Sequence, residues 1–240
     1  MKKERKNIER IVTPTHSVTT AILVDGAFYR KRANHYLGQV SPEERAKELA
    51  DYCHSLLKAD PYEQRNLYRI FYYDCPPLSK VIYNPITRKS IDLSKSDEYK
   101  WMTEFLGELK KQRKFAIRLG RLSENTIEYN LKYDAFKKLL NGSLKLEDIQ
   151  MTDLTLNLEQ KGVDMRIGVD ISSLSFKKQV DQIILISGDS DFVPAAKQAR
   201  REGIDFLLSP MGAVIKSDLF EHIDGLIRRL PKGAIDTTKK

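Results

Sequence analysis

The sequence predicts an α/β protein, a three-layer sandwich in which a five-stranded, mainly parallel sheet lies between two layers of helices. Short apolar runs rich in β-branched residues recur along the chain, as at 182–186, and are typical of strands buried on both faces of a parallel sheet. Segments in which apolar residues follow helical spacing separate these runs. Strands and helices therefore alternate, which favours a layered α/β architecture.

The elements follow in order from these patterns. The five predicted strands are 20–25, 67–73, 115–119, 182–186 and 204–208. The predicted helices are 28–37, 42–58, one that begins after Ser96, 133–140, 164–177, 191–202 and 217–223. The clearest helix start is Ser41-Pro42-Glu43-Glu44, a capping box with proline in the first turn.

These elements predict one domain at 18–230 with two insertions, flanked by basic tails at 1–17 and 231–240. The first insertion, at about 75–96, is a polar stretch longer than ordinary connections, which favours a lid or a binding loop. The second, at about 124–160, is expected to embellish one sheet edge and is a candidate for self-association, so a homo-oligomer is one expectation.

Composition favours a polyanionic partner. The 240 residues include 41 Lys and Arg against 33 Asp and Glu, a net charge of +8, which suits RNA, although such a surplus also serves solubility. Two cysteines without metal-ligand spacing indicate a reducing compartment. No apolar run approaches the roughly 20 residues needed to cross a bilayer, so we expect a cytoplasmic protein without membrane contact.

Two carboxylates, Asp189 and Asp191, follow the 182–186 strand in the turn that leads to the next helix. One interpretation is structural, with Asp191 as the N-cap of that helix. Capping needs only one carboxylate, however, and a second one nearby adds repulsion that a cation would relieve.

Two further aspartates are expected at the same edge of the sheet. Asp25 ends the first strand, and Asp164 lies in the first turn of the helix that leads into the 182–186 strand. Asp74 also ends a strand and is expected to border this edge. A cluster of carboxylate oxygens is the ligand set that hard divalent cations such as Mg²⁺ prefer.

The residues around these aspartates resemble the three signature blocks of the NYN domain, a family in the PIN-like group of metal-dependent ribonucleases. The blocks are Val24-Asp25-Gly26, Lys161-Gly162-Val163-Asp164 and Ser187-Gly188-Asp189-Ser190-Asp191-Phe192. The resemblance implies a PIN-like (Rossmann-like) sandwich with the five strands in the order 3-2-1-4-5. It also implies that Asp25, Asp164, Asp189 and Asp191 are both catalytic and metal-binding, with Asp170 as a fifth candidate ligand.

The expected function is a Mg²⁺- or Mn²⁺-dependent ribonuclease, an endonuclease acting on RNA, with single strands favoured. The candidate substrate-binding residues are Arg30, Lys31, Asn34, Lys161 and Ser187. Phe28 occupies a position where relatives often carry asparagine, and Asn34 is the candidate substitute. Two alternatives stay open: a non-catalytic RNA-binding regulator with the same fold, and a metal-dependent nucleotide phosphatase.

Overall fold

The structure is a computed structural model that describes residues 16–122, 127–157 and 160–234. Most of the two predicted tails, 1–17 and 231–240, lies outside these ranges. The division into one domain with two insertions remains a prediction.

Twelve strands and seven α-helices are assigned within these ranges. The strands are β1 (His16–Asp25), β2 (Glu63–Asp74), β3 (Val81–Asn84), β4 (Lys89–Asp92), β5 (Phe115–Leu119), β6 (Arg121–Leu122), β7 (Glu128–Leu131), β8 (Leu154–Asn157), β9 (Gln160–Lys161), β10 (Gln182–Ile186), β11 (Asp205–Leu208) and β12 (Gly225–Leu226). The helices are α1 (Gly26–Leu37), α2 (Pro42–Leu57), α3 (Asp97–Lys111), α4 (Tyr133–Leu140), α5 (Val163–Phe176), α6 (Val193–Arg201) and α7 (Ser217–Phe220).

The central sheet has the order β12-β11-β10-β1-β2-β5, and every neighbouring pair is parallel. This confirms the α/β class and the order predicted for the five longer strands. The predicted count of five was wrong by one, because β12 adds a sixth strand beside β11. A strand of two residues is too short to show the period-two pattern by which strands are recognised in a sequence.

Helices cover both faces of this sheet, which completes the three layers. Successive strand residues point to opposite faces. On one face Leu23 and Leu185 pack with α5 and α6, while on the other Val24 and Ile186 pack with α1, α2 and α3. No helix within the described ranges is long and apolar enough to cross a membrane.

Both insertions contain regular structure. The first carries the antiparallel hairpin β3–β4, whose turn includes Arg88 with a positive φ of 55°. The second carries α4 and the antiparallel pair β7–β8. Its flanking strands β6 and β9 pair with each other and return the chain to α5. The expectation of a polar loop at about 75–96 was therefore wrong in part, because a hairpin and a 3₁₀ turn occupy much of it.

Candidate active site

The sheet topology brings the aspartates that follow β1 and β10 to one edge. The two strands are parallel neighbours, with Val24 opposite Ile186, so Asp25 and the 187–191 turn leave the sheet side by side. Strands β2 and β5 lie on one side of β1, whereas the later strands β10, β11 and β12 lie on the other side. Such a switch point, at the carboxyl ends of the strands, is where open α/β folds place their ligands.

Asp25 is held in place by two hydrogen bonds. Its Oδ1 accepts from the backbone N–H of Phe28 at 3.1 Å, which caps α1, and its Oδ2 accepts from Ser187 Oγ at 3.2 Å. Burial raises the pKa of Asp25, the two hydrogen bonds lower it, and the carboxylates of Asp164 and Asp189 raise it further. Asp25 is thus oriented by its own helix and by the neighbouring strand.

Asp189, rather than Asp191, performs the capping in the turn after β10. Its Oδ1 accepts from the Asp191 N–H at 3.1 Å and caps a 3₁₀ turn over Ser190–Phe192. The Asp189 N–H in turn donates to Ser187 Oγ at 3.3 Å. The interpretation of Asp191 as an N-cap was therefore wrong, since α6 begins at Val193 without a side-chain cap. The Asp191 side chain remains exposed.

Asp164 joins the same group from the first turn of α5. Gly162 precedes the helix with a left-handed backbone (φ 80°), a conformation that glycine adopts without a steric cost. Asp164 lies near the surface, yet neighbouring protein atoms remove part of its hydration and raise its pKa, and Asp189 and Asp191 raise it further. Electrostatic repulsion therefore links four carboxylates that come from three separate parts of the chain.

These carboxylates are neighbours without being arranged as ligands around one point. Within the described ranges, no group of three or more His, Cys, Asp or Glu side chains is positioned to hold a metal ion. The chemistry of the donors nevertheless suits Mg²⁺ or Mn²⁺, which bind oxygen ligands. Repulsion that raises the pKa of Asp25 and Asp164 is also what a bound cation would remove.

Arg30, a candidate phosphate ligand, is paired inside the protein. Its guanidinium forms an ion pair with Asp74, which is only 1% exposed, and donates to Tyr72 Oη at 3.1 Å. Tyr72 Oη donates to Asp74 Oδ2 at 2.7 Å. A Cβ at Gly26 would collide with the side chains of Tyr72 and Asp74. The first residue of α1 must therefore be glycine for this network to form beside Asp25. The strand-end position of Asp74 was the only sequence signal for it.

The remaining residues of interest on α1 are Asn34, Lys31 and Phe28. Asn34 lies nine residues beyond Asp25 on α1, roughly 13 Å along the helix, and its Oδ1 accepts from Arg45 at 3.1 Å. Its role as a substitute for the asparagine expected at position 28 remains a prediction. Lys31 is exposed on α1. Phe28 instead packs against the 187–191 turn, because a Cβ at Gly188 would lie 2.9 Å from its ring.

Asp170 is placed apart from the other four aspartates. Its Oδ2 accepts from Tyr73 Oη at 2.8 Å and from Arg118 Nε at 3.2 Å. The six residues from Asp164 to Asp170 span more than one and a half turns of α5 and bring Asp170 over the end of β5. Lys161 is exposed in β9, three residues before Asp164.

Fold and site together define an α/β protein with an acidic group at the switch point of a parallel sheet. The family model of the NYN domain matches residues 19–220, and the chain belongs to this family. NYN domains are generally nucleases of the PIN-like group, and such nucleases usually use divalent metals, so membership indicates a nuclease-like, RNA-related function.

Other comparisons add little to this assignment. A crystal structure of a protein of unknown function from Vibrio parahaemolyticus aligns over 90% of this chain and 94% of that one, with 14% identity and a TM-score of 0.45. No curated protein matches the chain.

Proposed function

We propose that the protein is a Mg²⁺- or Mn²⁺-dependent ribonuclease, an endonuclease that hydrolyses phosphodiester bonds in single-stranded RNA. The observation that carries the proposal is the gathering of aspartates from the end of β1, the start of α5 and the turn after β10 at the switch point, where Asp164 and Asp189 add to the raised pKa of Asp25. Two caps and a first-turn aspartate with only local structural roles would have no reason to lie close enough to repel one another. Membership of the NYN family supports the same function.

Asp25, Asp164, Asp189 and Asp191 would hold the metal. A bound divalent ion supplies Lewis-acid stabilisation of the attacked phosphate and lowers the pKa of a water molecule that attacks it. Ser187 has an orienting role, because its hydroxyl donates to Asp25 and accepts from the N–H of Asp189. It thereby fixes the end of β1 relative to the turn after β10. Lys31, exposed one turn beyond Phe28, is a candidate contact for an RNA phosphate.

The test compares wild type with Asp25→Asn and Asp189→Asn. Asparagine is as good an N-cap as aspartate, so both variants should fold while losing a ligand charge. Wild type should cleave labelled single-stranded RNA with Mn²⁺ and not with EDTA, and both variants should lose cleavage. Asp134→Asn, an exposed position in the first turn of α4, is the matched control and should cleave normally.

Melting temperatures provide a readout that does not depend on activity. Mn²⁺ at a hundredfold excess over its dissociation constant should stabilise wild type by about 2.7 kcal/mol. Asp25→Asn and Asp189→Asn should gain much less. Equal metal-induced shifts in all of the proteins would contradict a metal site at these aspartates.

A second candidate function is an RNA-binding regulator that does not cleave. Two points favour it: the resemblance to the NYN domain leads us to expect asparagine where this chain has Phe28, and the carboxylates of the described chain are not arranged as ligands around one point. The cleavage assay separates the two functions. A regulator would bind the RNA and leave its length unchanged in Mn²⁺.

A further inference from the structure

We propose that a basic cleft between the β6–β9 pair and α5 binds the phosphates of the RNA strand on one side of the acidic site. The proposal deepens the proposed function and rests on it, since it assigns a path to the substrate of that same site. The cleft has a volume of about 690 Å³. Its lining is Arg118, Arg121, Lys161, Gly162, Met165, Arg166, Val169 and Asp170.

The charge of this lining is strongly positive. Four of its side chains are cationic and one, Asp170, is a carboxylate. Several cations lining one cleft attract and hold anions, because the low-dielectric protein around the cleft focuses their electric field. The acidic group beside the cleft has the opposite charge, so the two regions suit different parts of one substrate: phosphates in the cleft and a metal ion at the aspartates.

Strand pairing brings two of the cations together. Arg121 in β6 lies directly opposite Lys161 in β9 in an antiparallel register. Directly opposed residues on antiparallel strands have their Cβ atoms about 5 Å apart, and like charges in such a pair repel. An anion in the cleft would be attracted by both side chains. The pairing therefore places two cations on one wall of the cleft.

Arg118 is held at the rim of the cleft by contacts that leave it able to bind more. Its Nε donates to Asp170 Oδ2 at 3.2 Å, and its guanidinium lies over the ring of Phe71, 5.4 Å from the centroid. A guanidinium carries five N–H donors in a planar fork that matches phosphate geometry. Asp170 thus serves to position Arg118.

Helix α5 connects the cleft with the acidic site. Gly162, Met165, Arg166 and Val169 follow i, i+3, i+4 and i+7 spacing and form one face of the helix. Asp164 lies on a neighbouring face, toward Asp189 and Asp191. Arg166 and Asp164 both lie near the thiol of Cys75 and shift its pKa in opposite directions.

The cleft also offers apolar surface that inorganic phosphate would not use. Met165 and Val169 are 72% and 57% exposed on its helical wall. Unpaired bases of a single strand can pack on such side chains while their phosphates meet the arginines, whereas the bases of a duplex are already stacked. These features favour single-stranded RNA over a free anion.

The experiment measures binding of a labelled single-stranded RNA by fluorescence anisotropy in EDTA, which prevents metal-dependent cleavage. The test variant carries Arg121→Ala and Arg166→Ala. Each lost charge-assisted contact should weaken binding by about tenfold. The slope of log affinity against log salt should become shallower by about 1.4, because each phosphate contact contributes roughly 0.7 with single strands.

The matched control is Lys110→Ala with Arg113→Ala, two exposed cations at the end of α3, in the helical layer on the opposite face of the sheet. It removes the same charge and should change affinity and slope little. Equal losses in both double variants would show that net charge alone acts and would overturn the cleft, as would a wild type that does not bind RNA. If wild type binds but never cleaves, the hydrolase proposal fails and the comparison of variants still decides the cleft.

Discussion

At the scale of single residues, Phe28 and Gly188 form a matched pair. A Cβ on Gly188 would lie only 2.9 Å from the Phe28 ring. The large side chain on α1 therefore requires glycine in the 187–191 turn. We predict that Gly188→Ala lowers the free energy of unfolding by about 1–3 kcal/mol, the usual cost of overpacking. Urea denaturation measures this.

Two variants make the Gly188 test specific. Phe28→Ala should remove most of the added cost of Gly188→Ala, because the collision partner is gone. Gly107→Ala, on α3 where no atom lies within 4 Å of the new Cβ, should instead stabilise the protein by about 0.5–1 kcal/mol. Additive effects of Phe28→Ala and Gly188→Ala would contradict the packing.

Asp205 provides a pH-dependent prediction far from the acidic site. Burial raises its pKa, a hydrogen bond from Gln182 Nε2 lowers it, and the carboxylates of Asp224 and Glu63 raise it. Because the folded state holds this proton more tightly than the unfolded state, the associated stability is present at acid pH. It is lost as pH rises from about 4 through the raised pKa.

Asp205→Asn should remove this dependence. An amide still accepts from Gln182 through its oxygen and carries no charge at neutral pH. We expect the variant to be more stable than wild type at pH 7 and about equal to it at pH 3. Urea denaturation at the two pH values decides the matter, and a constant difference between the proteins would count against the repulsion.

The positions of individual site residues were predictable from the sequence only where a local pattern, such as the end of an apolar run, marked them. Asp25 and Asp189 follow apolar runs, so their position at one edge could be inferred from the strands alone. The pairing of Arg30 with Asp74 could not, because it joins two elements 44 positions apart and depends on Gly26 leaving room. The same holds for Asp170, whose partner Arg118 comes from β5.

At the scale of elements, the β3–β4 hairpin is anchored next to its turn, while the turn itself is exposed. Asn84 is buried, donates through Nδ2 to Met151 Sδ at 3.1 Å and accepts from the backbone N–H of Ile86 and Thr87. The tip at 85–88 is exposed. Movement is therefore expected to be confined to the exposed turn, which Asn84 bounds on its N-terminal side.

We predict that, between the two tails, trypsin cuts first at Arg88 or Lys89 and that RNA in EDTA slows this cut. The residues lie at the hairpin turn, and Tyr83, Arg88 and Lys89 are exposed there. Protection should be absent for Arg201, an exposed site at the end of α6. Unchanged cutting at Arg88 and Lys89 under saturating RNA would rule out a lid.

The elements that could be predicted were those with strong local signals. The capping box at Ser41 and the 182–186 run gave α2 and β10 within one residue. The β3–β4 hairpin was not predicted, because each strand has only four residues and the turn lacks the Asn-Gly or Asp-Gly signal. β12 has only two residues, and its place depends wholly on pairing with β11.

At the scale of the whole molecule, the second insertion exposes apolar side chains. Tyr133, Phe136 and Leu140 follow i, i+3 and i+7 spacing on α4, and all three are exposed. We predict concentration-dependent self-association in sedimentation velocity, abolished by Phe136→Glu with Leu140→Glu. Lys138→Glu, an exposed position on the same helix, should leave self-association intact. A wild type that sediments as a monomer at all concentrations would contradict the prediction.

The order of the sheet could be expected only through the resemblance to the NYN domain, because hydrophobic patterns do not say which strands become neighbours. The pairing of β1 with β10 brings Thr20 opposite Gln182, 162 residues along the chain. The charge surplus of +8 predicted a polyanionic partner in general. The position of Arg121 and Lys161 together in the cleft beside α5 depends on the antiparallel register of β6 and β9.

This long-range pairing determines when a growing polypeptide acquires its acidic site. A nascent chain that has left the ribosome only as far as the second insertion contains Asp25 and lacks α5 and the turn after β10, which supply the other three carboxylates. Under the proposed function, a product of interrupted translation would therefore be unable to cut RNA, and the unpaired edge of β1 would be open to aggregation. Expressed as two pieces divided within 123–126, the protein would complete its acidic site only when the halves meet.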